Sequence, residues 1–427
     1  MILIYSDITS PRLQYTCNFI FSEQLGIPCN ITIDSEAFRN HPGPKLNYSS
    51  NRHDDAFFIN PHSLLFEQHI KDQPITCFEW NGYKAFFGSP GSDFPFDIFA
   101  AVFYLLSRYE EYLAHTPDLY GRYAHENSIA YKEGFLDIPL VNIWINEFAK
   151  KLKLKYPLLD FRQTAFRFIP TYDIDIAYSY KHKGLIRNLG GFVKSPSLER
   201  LEVLSGSKKD PYDSYAFLDG LHEHYALSPV YFFLVATSVS RYDKNISPYV
   251  TAMGKLIRQH AKKYKTGLHP SWRSNDQTTL LSREKSILEE TGAVPVNISR
   301  QHYIKFSLPS TFEQLINAGI EEDYSMGYGS INGFRASVAS PFCWYNLAEE
   351  KSTSLKLFPF CFMDANSFYE QGYNAARAYE EIMQYLHVCK KVNGTFISIF
   401  HNNFLGEDKQ FPGWKEMYAK FISQVQQ

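Results

Sequence analysis

The chain has 427 residues, of which 44% are hydrophobic and 21% charged, as in a globular protein long enough for two hydrophobic cores. Its net charge of -2 provides no overall basic field for nucleic acid or an anionic membrane. The six cysteines are scattered, which excludes a disulfide framework and a zinc knuckle. No apolar run approaches about 18 residues and the N-terminus lacks a signal peptide, so we expect no membrane span and a cytoplasmic location.

The first part of the chain shows an α/β pattern without a catalytic set. Strands are predicted at 2–5, 29–33, 56–59 and 75–78, helices at 11–25, 98–113 and 139–151, and loops at 34–55 and 115–134. Asn81-Gly82 predicts a hairpin turn, and Asp93 or Asp97 can cap the second helix. Residues 108–112, an Arg-Tyr-Glu-Glu-Tyr run, are interpreted as the solvated face of that helix. A basic, Pro-containing stretch at 150–157 predicts a boundary between an N-terminal domain of unknown role (1–155) and a second domain (156–427).

From residue 166 the pattern changes to a regular alternation of strands and helices. Strands are predicted at 166–175, 230–236, 266–268, 294–298, 355–363 and 395–400, with a further one around Tyr324. Helices are predicted at 214–226, 248–264, 279–291, 311–318, 375–391 and 414–425. This alternation predicts a parallel sheet that is closed or nearly closed into a (β/α) barrel.

Polar side chains follow the predicted ends of these strands. Active sites of (β/α) barrels are built at the carboxyl ends of the strands, so these side chains are expected to converge on one cleft. The residues are Asp173, Asp175, His269, Arg300, His302, Asp364 and His401.

The carboxylates of Asp173 and Asp175 end the first of these strands. Their i, i+2 spacing places both on the same side of an extended backbone, where they repel each other unless a cation or a shared proton neutralises them. A metal-dependent hydrolase uses such a pair as one ligand and one general base. A solvated strand end with two acids of no function is the alternative that the pair alone leaves open.

Several short motifs, in this order, resemble those of the polysaccharide deacetylases, carbohydrate esterases with a distorted (β/α)7 barrel. Residues 171–175 resemble the family's Thr-Phe-Asp-Asp motif with one residue inserted, 267–271 its metal-binding His motif, 300–303 its Arg-containing groove motif and 399–401 its last motif. Residues 333–336, 362–365 and the first 150, especially 103–112, resemble a two-domain bacterial subgroup whose N-terminal domain is uncharacterised. The resemblance implies a (β/α)7 barrel behind a smaller α/β domain.

The resemblance also implies a divalent metal, with Zn²⁺ expected, bound by one Asp and two His four residues apart. Asp175 and His269 match this set, but the fourth residue after His269 is Arg273, whose guanidinium cannot coordinate a metal. Three alternatives follow. His302 replaces the missing ligand, or Asp175, His269 and water hold the metal weakly, or Arg273 supplies the positive charge and no metal binds. We prefer the Asp175–His269–His302 set.

In this interpretation Asp173 is the general base and His401 protonates the leaving group. The resemblance further implies that Arg300 or Arg335 holds Asp173 ionised or grips the sugar, and that Asp364 orients a neighbour. The predicted function is hydrolysis of the N-acetyl (or O-acetyl) group of a poly- or oligosaccharide. One alternative is a non-catalytic carbohydrate-binding relative with a degenerate metal site. Another is a barrel hydrolase of a different kind, such as an amidase acting on a small cyclic amide.

Overall fold

The structure, a computed structural model, describes residues 1–53, 55–162 and 164–425, and its contacts divide the chain into two compact units. The first unit comprises Met1–Arg167, Phe334–Pro359 and Val388–Thr395. The second unit comprises Phe168–Gly333, Phe360–His387 and Phe396–Gln427. Among the described residues, no helix combines the length and the apolar character that crossing a bilayer requires.

The N-terminal part of the chain folds as a small parallel sheet with helices. Its strands are β1 (Ile2–Ser6), β2 (Cys29–Thr32), β3 (Lys45–Tyr48), β4 (Phe57–Ile59), β5 (Phe78–Trp80) and β6 (Tyr83–Ala85). Its helices are α1 (Pro11–Cys17), α2 (Ser35–Asn40), α3 (Ile98–Leu106), α4 (Ile129–Lys132) and α5 (Leu140–Lys155). The sheet has the parallel order β2-β1-β3-β4. The β5–β6 hairpin turns through Asn81 and Gly82, both with positive φ, which confirms the predicted turn.

Several predictions for this region are wrong. The predicted loop at 115–134 contains α4, and the strand predicted at 75–78 is displaced, since β5 begins at Phe78. The predicted loop at 34–55 contains α2, which the Asp34 carboxylate caps by accepting from two backbone N–H groups, and the fully buried strand β3. The predicted solvated helix face at 108–112 is a buried turn of 3-10 helix that begins after Arg108, where φ is +53°. Its two glutamates are buried because they pair with arginines, which periodicity alone does not indicate.

The middle of the chain supplies most of the second unit. Its strands are β7 (Arg167–Ile174), β8 (Val230–Leu234), β9 (Lys265–His269), β10 (Ile298–Ser299) and β11 (Glu322–Asp323). Its helices are α6 (Leu185–Lys194), α7 (Leu198–Ser205), α8 (Tyr215–His224), α9 (Thr251–Lys263), α10 (Thr278–Gly292) and α11 (Ser310–Asn317). Helices α6 and α7 lie in a segment for which the sequence pattern predicted no element.

The C-terminal part of the chain contributes to both units. Its elements are β12 (Phe342–Asn346), β13 (Lys351–Leu357), β14 (Phe362–Met363), α12 (Ala375–Lys391), β15 (Thr395–His401) and α13 (Trp414–Val425). The single strand predicted at 355–363 is therefore wrong, since β13 ends before Pro359 and β14 begins after it. Proline has no N–H to donate to a strand ladder, so the apolar run cannot continue as one strand.

The strands of the second unit form one parallel-rich row with the order β14-β15-β7-β8-β9-β10-β11. The strand pairs with a determined register in this row are all parallel. The predicted α/β class with a large parallel sheet is thus confirmed. A pairing of β11 with β14, which would close a barrel, is not among the strand pairs of the described residues. Barrel closure therefore stays a prediction.

Candidate functional site

The candidate site lies at the carboxyl ends of the strands in the second unit. Asp173 is on β7, and Asp175 follows that strand directly. His269 and His401 are the last residues of β9 and β15. His302 comes three residues after the end of β10. Parallel pairing of these strands brings residues far apart in sequence to one edge of the sheet.

Asp175, His269 and His302 form a compact group of metal-ligand type. One donor atom from each residue lies within 4.8 Å of the other two. Nε2 of His269 is 3.1 Å from Oδ1 of Asp175, and Nε2 of His302 is 3.3 Å from Oδ2 of the same carboxylate. His302, the predicted replacement ligand, therefore lies beside Asp175 and His269.

The two imidazoles of this group are fixed through their other nitrogen. Nδ1 of His269 lies 2.5 Å from the carbonyl oxygen of Arg300, and Nδ1 of His302 lies 3.1 Å from Oδ1 of Asp243. Both partners can only accept, so each Nδ1 carries a proton, and Nε2 is the atom that faces Asp175. Ligand histidines in metal sites are oriented by this type of hydrogen bond.

His401 approaches the same carboxylate from another strand. Its Nδ1 lies 2.7 Å from Oδ1 of Asp364, and its backbone N–H donates to Oδ2 of the same residue at 2.7 Å. Its Nε2 is 3.5 Å from Oδ2 of Asp175. Asp364 is fully buried at the end of β14, which lies beside β15 in the sheet. Asp364 therefore contacts both the backbone and the ring of His401, and its predicted role of orienting a neighbour stays a prediction.

Asp173 lies next to this group and pairs with an arginine. Nη1 of Arg300 donates to Oδ1 of Asp173 at 2.8 Å, and Nε of the same guanidinium donates to the carbonyl oxygen of Tyr324 at 3.0 Å. The guanidinium also lies over the ring of Phe232, 4.4 Å from its centroid. Oδ2 of Asp173 is 3.8 Å from Nε2 of His269. One carboxylate oxygen of Asp173 is therefore paired with Arg300, and the other faces the imidazole of His269.

The charges around Asp175 shift the protonation equilibria of the site. Burial alone would raise the pKa of Asp175, but the imidazoles of His302 and His269 hold it well below its usual range. Burial alone would lower the pKa of His302, but Asp175 raises it to about 9. The pKa of His401 is raised to about 10 against the effect of burial, chiefly by Asp364. The carboxylate of Asp175 thus favours protonated imidazoles at His302 and His401.

The donor set fits a divalent ion of the zinc type. Two ligands at about 2.0–2.1 Å from a tetrahedral zinc ion lie about 3.3–3.4 Å apart, close to the two separations between imidazole and carboxylate. Oδ1 of Asp175 is buried and makes no hydrogen bond within the described residues. Two imidazole nitrogens and one carboxylate oxygen would fill three of the four positions of a tetrahedral zinc ion and leave the fourth for water.

The structure does not bring Arg273 or Arg335 into this group. Arg273 is exposed, so the alternative in which it supplies the positive charge beside Asp175 has no support. Arg335 is buried in the first unit, where Nε and Nη2 donate to the two carboxylate oxygens of Glu111 at 2.8 and 2.6 Å. Of the two arginines considered for Asp173, Arg300 is the one that the structure pairs with it among the described residues.

Sequence reasoning missed Asp243, which orients His302. Its carboxylate also accepts from the backbone N–H of Trp272 at 2.9 Å and from the hydroxyl of Ser240 at 2.8 Å. Burial would raise the pKa of Asp243, but these hydrogen bonds and His302 lower it. The available signal was its place in the loop after β8, at the edge of the sheet where the other site residues lie.

Comparisons with known proteins match a family model over part of the chain and several solved structures. A model for a family of unknown function (DUF7033) matches residues 2–157, less than half of the chain. The chain is similar in structure to a protein from Mycobacterium smegmatis named as a polysaccharide deacetylase, with 15% identity and a TM-score of 0.41, covering 62% of this chain and 85% of that one. The chain is also similar in structure to Puue allantoinase, with 13% identity and a TM-score of 0.40, covering 61% of this chain and 83% of that one. A protein from Pseudomonas aeruginosa PAO1, also named as a polysaccharide deacetylase, has 12% identity, a TM-score of 0.39 and 61% and 84% coverage. No curated protein matches the chain, and TM-scores of this size carry no argument about activity.

Proposed function

We propose that the protein is a metal-dependent hydrolase that removes an acetyl group from a poly- or oligosaccharide. The observation that carries the proposal is the arrangement of three histidines around Asp175. Each has Nδ1 held by an acceptor and Nε2 directed at the same carboxylate. Three nitrogen lone pairs facing a carboxylate are stable only when protons or a cation lie between them. The order of the sequence motifs supports acetylated carbohydrate as the substrate class.

Asp175, His269 and His302 would hold the metal, and Zn²⁺ suits two imidazoles with one carboxylate. When bound, such an ion polarises the acetyl carbonyl and acidifies a water. Asp173 would accept the proton of the attacking water at Oδ2, because Arg300 already occupies its Oδ1.

His401 would complete the reaction from the other side of the site. Its Nδ1–H is engaged with Asp364, which leaves Nε2 as the atom that delivers a proton to the departing amine or alcohol. This division gives Asp173 the role of base and His401 the role of acid. Their separate partners, Arg300 and Asp364, hold the two side chains in place.

The first test compares metal content with acetate release for the full-length protein. We expect the purified protein to contain about one zinc ion per chain and to release acetate from acetylated oligosaccharides. His302→Ala should remove metal and activity together, because only Asp175 and His269 remain as ligands. Asp173→Asn should keep the metal and lower kcat by about 10²- to 10⁴-fold, as expected for loss of a general base.

His224→Ala is the matched control, since His224 is exposed on α8 and should affect neither quantity. Full metal content in His302→Ala would show that His302 is not a ligand. A wild-type protein that binds acetylated sugars but never holds metal would instead be a non-catalytic carbohydrate-binding protein, which would overturn the proposal.

A further inference from the structure

Helices α6 and α7, in the segment that follows Asp175, expose an apolar surface. Seven large aliphatic side chains are each 45–89% exposed. We call them the α6–α7 apolar face: Leu185, Ile186, Leu189, Val193, Leu198, Leu201 and Leu204. Exposed apolar residues are ordinary when scattered, but a contiguous group on a soluble chain indicates a binding surface.

Helix α6 exposes its apolar face, whereas an ordinary surface helix buries it against the protein. Leu185, Leu189 and Val193 recur at i, i+4 and i+8, so they share one helix face, and that face is exposed. The polar side chains of Arg187 and Asn188 form hydrogen bonds to the protein. The guanidinium of Arg187 donates to the carbonyl oxygens of residues 244 and 245, and the amide of Asn188 donates to that of residue 180 at 3.0 Å.

Helix α7 repeats this arrangement. Val203 is buried, and Nη1 of Arg200 donates to the carbonyl oxygen of Asn188 at 2.9 Å. The three leucines of α7 at 198, 201 and 204 are spaced i, i+3, i+6 on the exposed side. Two successive helices thus turn their apolar residues outward while their arginines bond to the protein.

The base of this segment is firmly attached to the second unit. The carboxylate of Asp210, which is 1% exposed, accepts from the backbone N–H groups of Ser179, Tyr180 and Lys181 at 2.7–2.9 Å. These hydrogen bonds join the beginning of the segment to its end. The α6–α7 apolar face therefore lies on an excursion of the chain whose two ends are hydrogen-bonded to each other. This excursion starts within a few residues of Asp175.

The local charge identifies the kind of partner. Residues 178–210, which include both helices, contain seven Lys and Arg residues against three Asp and Glu residues, an excess of four positive charges. The net charge of -2 for the whole chain conceals this local excess. Exposed aliphatic residues beside Lys and Arg on short amphipathic helices are typical of segments that lie in the interface of an anionic membrane. A second copy of the chain fits less well, because a symmetric pairing places like charges opposite each other.

We propose that the α6–α7 apolar face docks on an anionic lipid surface, with its leucines, isoleucine and valine in the acyl boundary and the exposed Lys194 and Lys209 near the headgroups. The protein would lie on the membrane without crossing it. Because the excursion begins directly after Asp175, docking would hold the edge that carries the candidate metal site close to the lipid surface. The docking itself does not depend on the proposed hydrolysis.

Co-sedimentation of the full-length protein with lipid vesicles tests the proposal. The probes are vesicles of phosphatidylcholine alone and of phosphatidylcholine mixed with phosphatidylglycerol. We expect binding to the anionic vesicles, weaker binding to the neutral ones and weakening by salt. The triple variant L185S/I186S/L189S should bind anionic vesicles at least about tenfold more weakly, because it removes much of the apolar area that the lipid would bury.

Leu119→Ser and Leu154→Ser are matched controls, since both side chains are at least 78% exposed in the first unit and should leave binding unchanged. Equal unfolding temperatures of the variants and the wild type would show that all are folded. No binding to either vesicle, equal binding to both, or unchanged binding of the triple variant would overturn the proposal. A wild-type dimer that the triple variant dissociates, without vesicle binding, would identify the face as an interface between copies and also overturn it.

Discussion

At the residue scale, the candidate site depends on which nitrogen of each histidine is engaged. His269, His302 and His401 all have Nδ1 occupied by an acceptor from a different segment of the chain. An imidazole that is anchored in this way presents Nε2 at a defined angle, which reduces the entropy lost on binding a cation. The anchoring residues are therefore as informative about function as the ligands.

Asp243→Ala should weaken zinc binding by about 10- to 100-fold, the usual cost of removing a partner of a ligand histidine. Without the carboxylate, the His302 ring loses the acceptor that fixes its Nδ1–H. The measurement is the zinc Kd by competition with a chelating indicator. Asp243→Asn keeps an acceptor oxygen and should show a smaller loss.

Asp276→Ala is the control for this substitution. Asp276 is a mostly exposed acid of the loop after β9, paired with Lys305, and should leave the Kd unchanged. Equal Kd values for Asp243→Ala and the wild type would show that Asp243 does not orient a metal ligand.

At the scale of elements, β9 has to approach its neighbours closely to place His269. A Cβ added at Gly267 would lie 2.6 Å from Cε1 of Phe232 on β8 and 2.7 Å from Cγ1 of Ile298 on β10. Contacts this short force rings or backbone to move. The glycine two residues before His269 therefore sets the spacing of three strands.

Gly267→Ala should lower the free energy of unfolding by about 1–3 kcal/mol and reduce zinc affinity, because β9 and His269 must shift. Thermal unfolding and the zinc Kd measure the two effects. Gly220→Ala is the control, since a Cβ at this position of α8 would meet nothing within 4 Å. It should leave zinc binding unchanged and stabilise the helix by up to about 1 kcal/mol. A Gly267→Ala protein as stable as the wild type would show that the sheet adapts without cost.

At the scale of the whole molecule, the first unit is assembled from distant parts of the chain. The buried guanidinium of Arg335 pairs with Glu111, and Glu350 pairs with the buried Arg12. The backbone N–H of Val141 also donates to the carbonyl oxygen of Ser337 at 3.0 Å. A domain boundary at residue 155 stays a prediction, but a fragment that ends there would lack these partners.

Acid should weaken the first unit through Glu111. Burial alone would raise the pKa of Glu111, but Arg335 and Arg108 lower it to about 2, below the ordinary value of 4.5. Its stabilising contribution is therefore complete above about pH 4.5 and is lost as the pH falls toward about 2. Glu111→Gln should lower the free energy of unfolding at neutral pH by about 3–5 kcal/mol, because the buried Arg335 loses the carboxylate that it pairs with and Arg108 loses one of its two.

Urea unfolding of the wild type and of Glu111→Gln at several pH values measures this effect. The difference between the two proteins should shrink as the pH falls below about 4.5. Glu126→Gln is the control, since the Glu126 carboxylate is mostly exposed and should change stability little at any pH. A difference that does not depend on pH would show that Glu111 contributes through packing alone.

The sequence by itself determined the α/β class, most strand and helix positions of the second unit and the residues at the strand ends. These features follow from local hydrophobic periodicity and from the rule that parallel strands place their carboxyl ends at one edge. Even the proposed use of His302 could be inferred, because it follows the strand after His269. The periodicity was not informative where polar groups are buried through pairing, as at 108–112, or where Pro359 divides an apolar run.

Only the tertiary structure decided which side chains meet. Asp243 anchors His302 across 59 residues, and Arg335 binds Glu111 across 224. It also decided that the leucines of α6 and α7 point outward, in a segment for which the sequence pattern predicted no helix. The physical reason is that periodicity records which face of an element is apolar, whereas the partner of a buried charge depends on long-range packing that no local pattern contains.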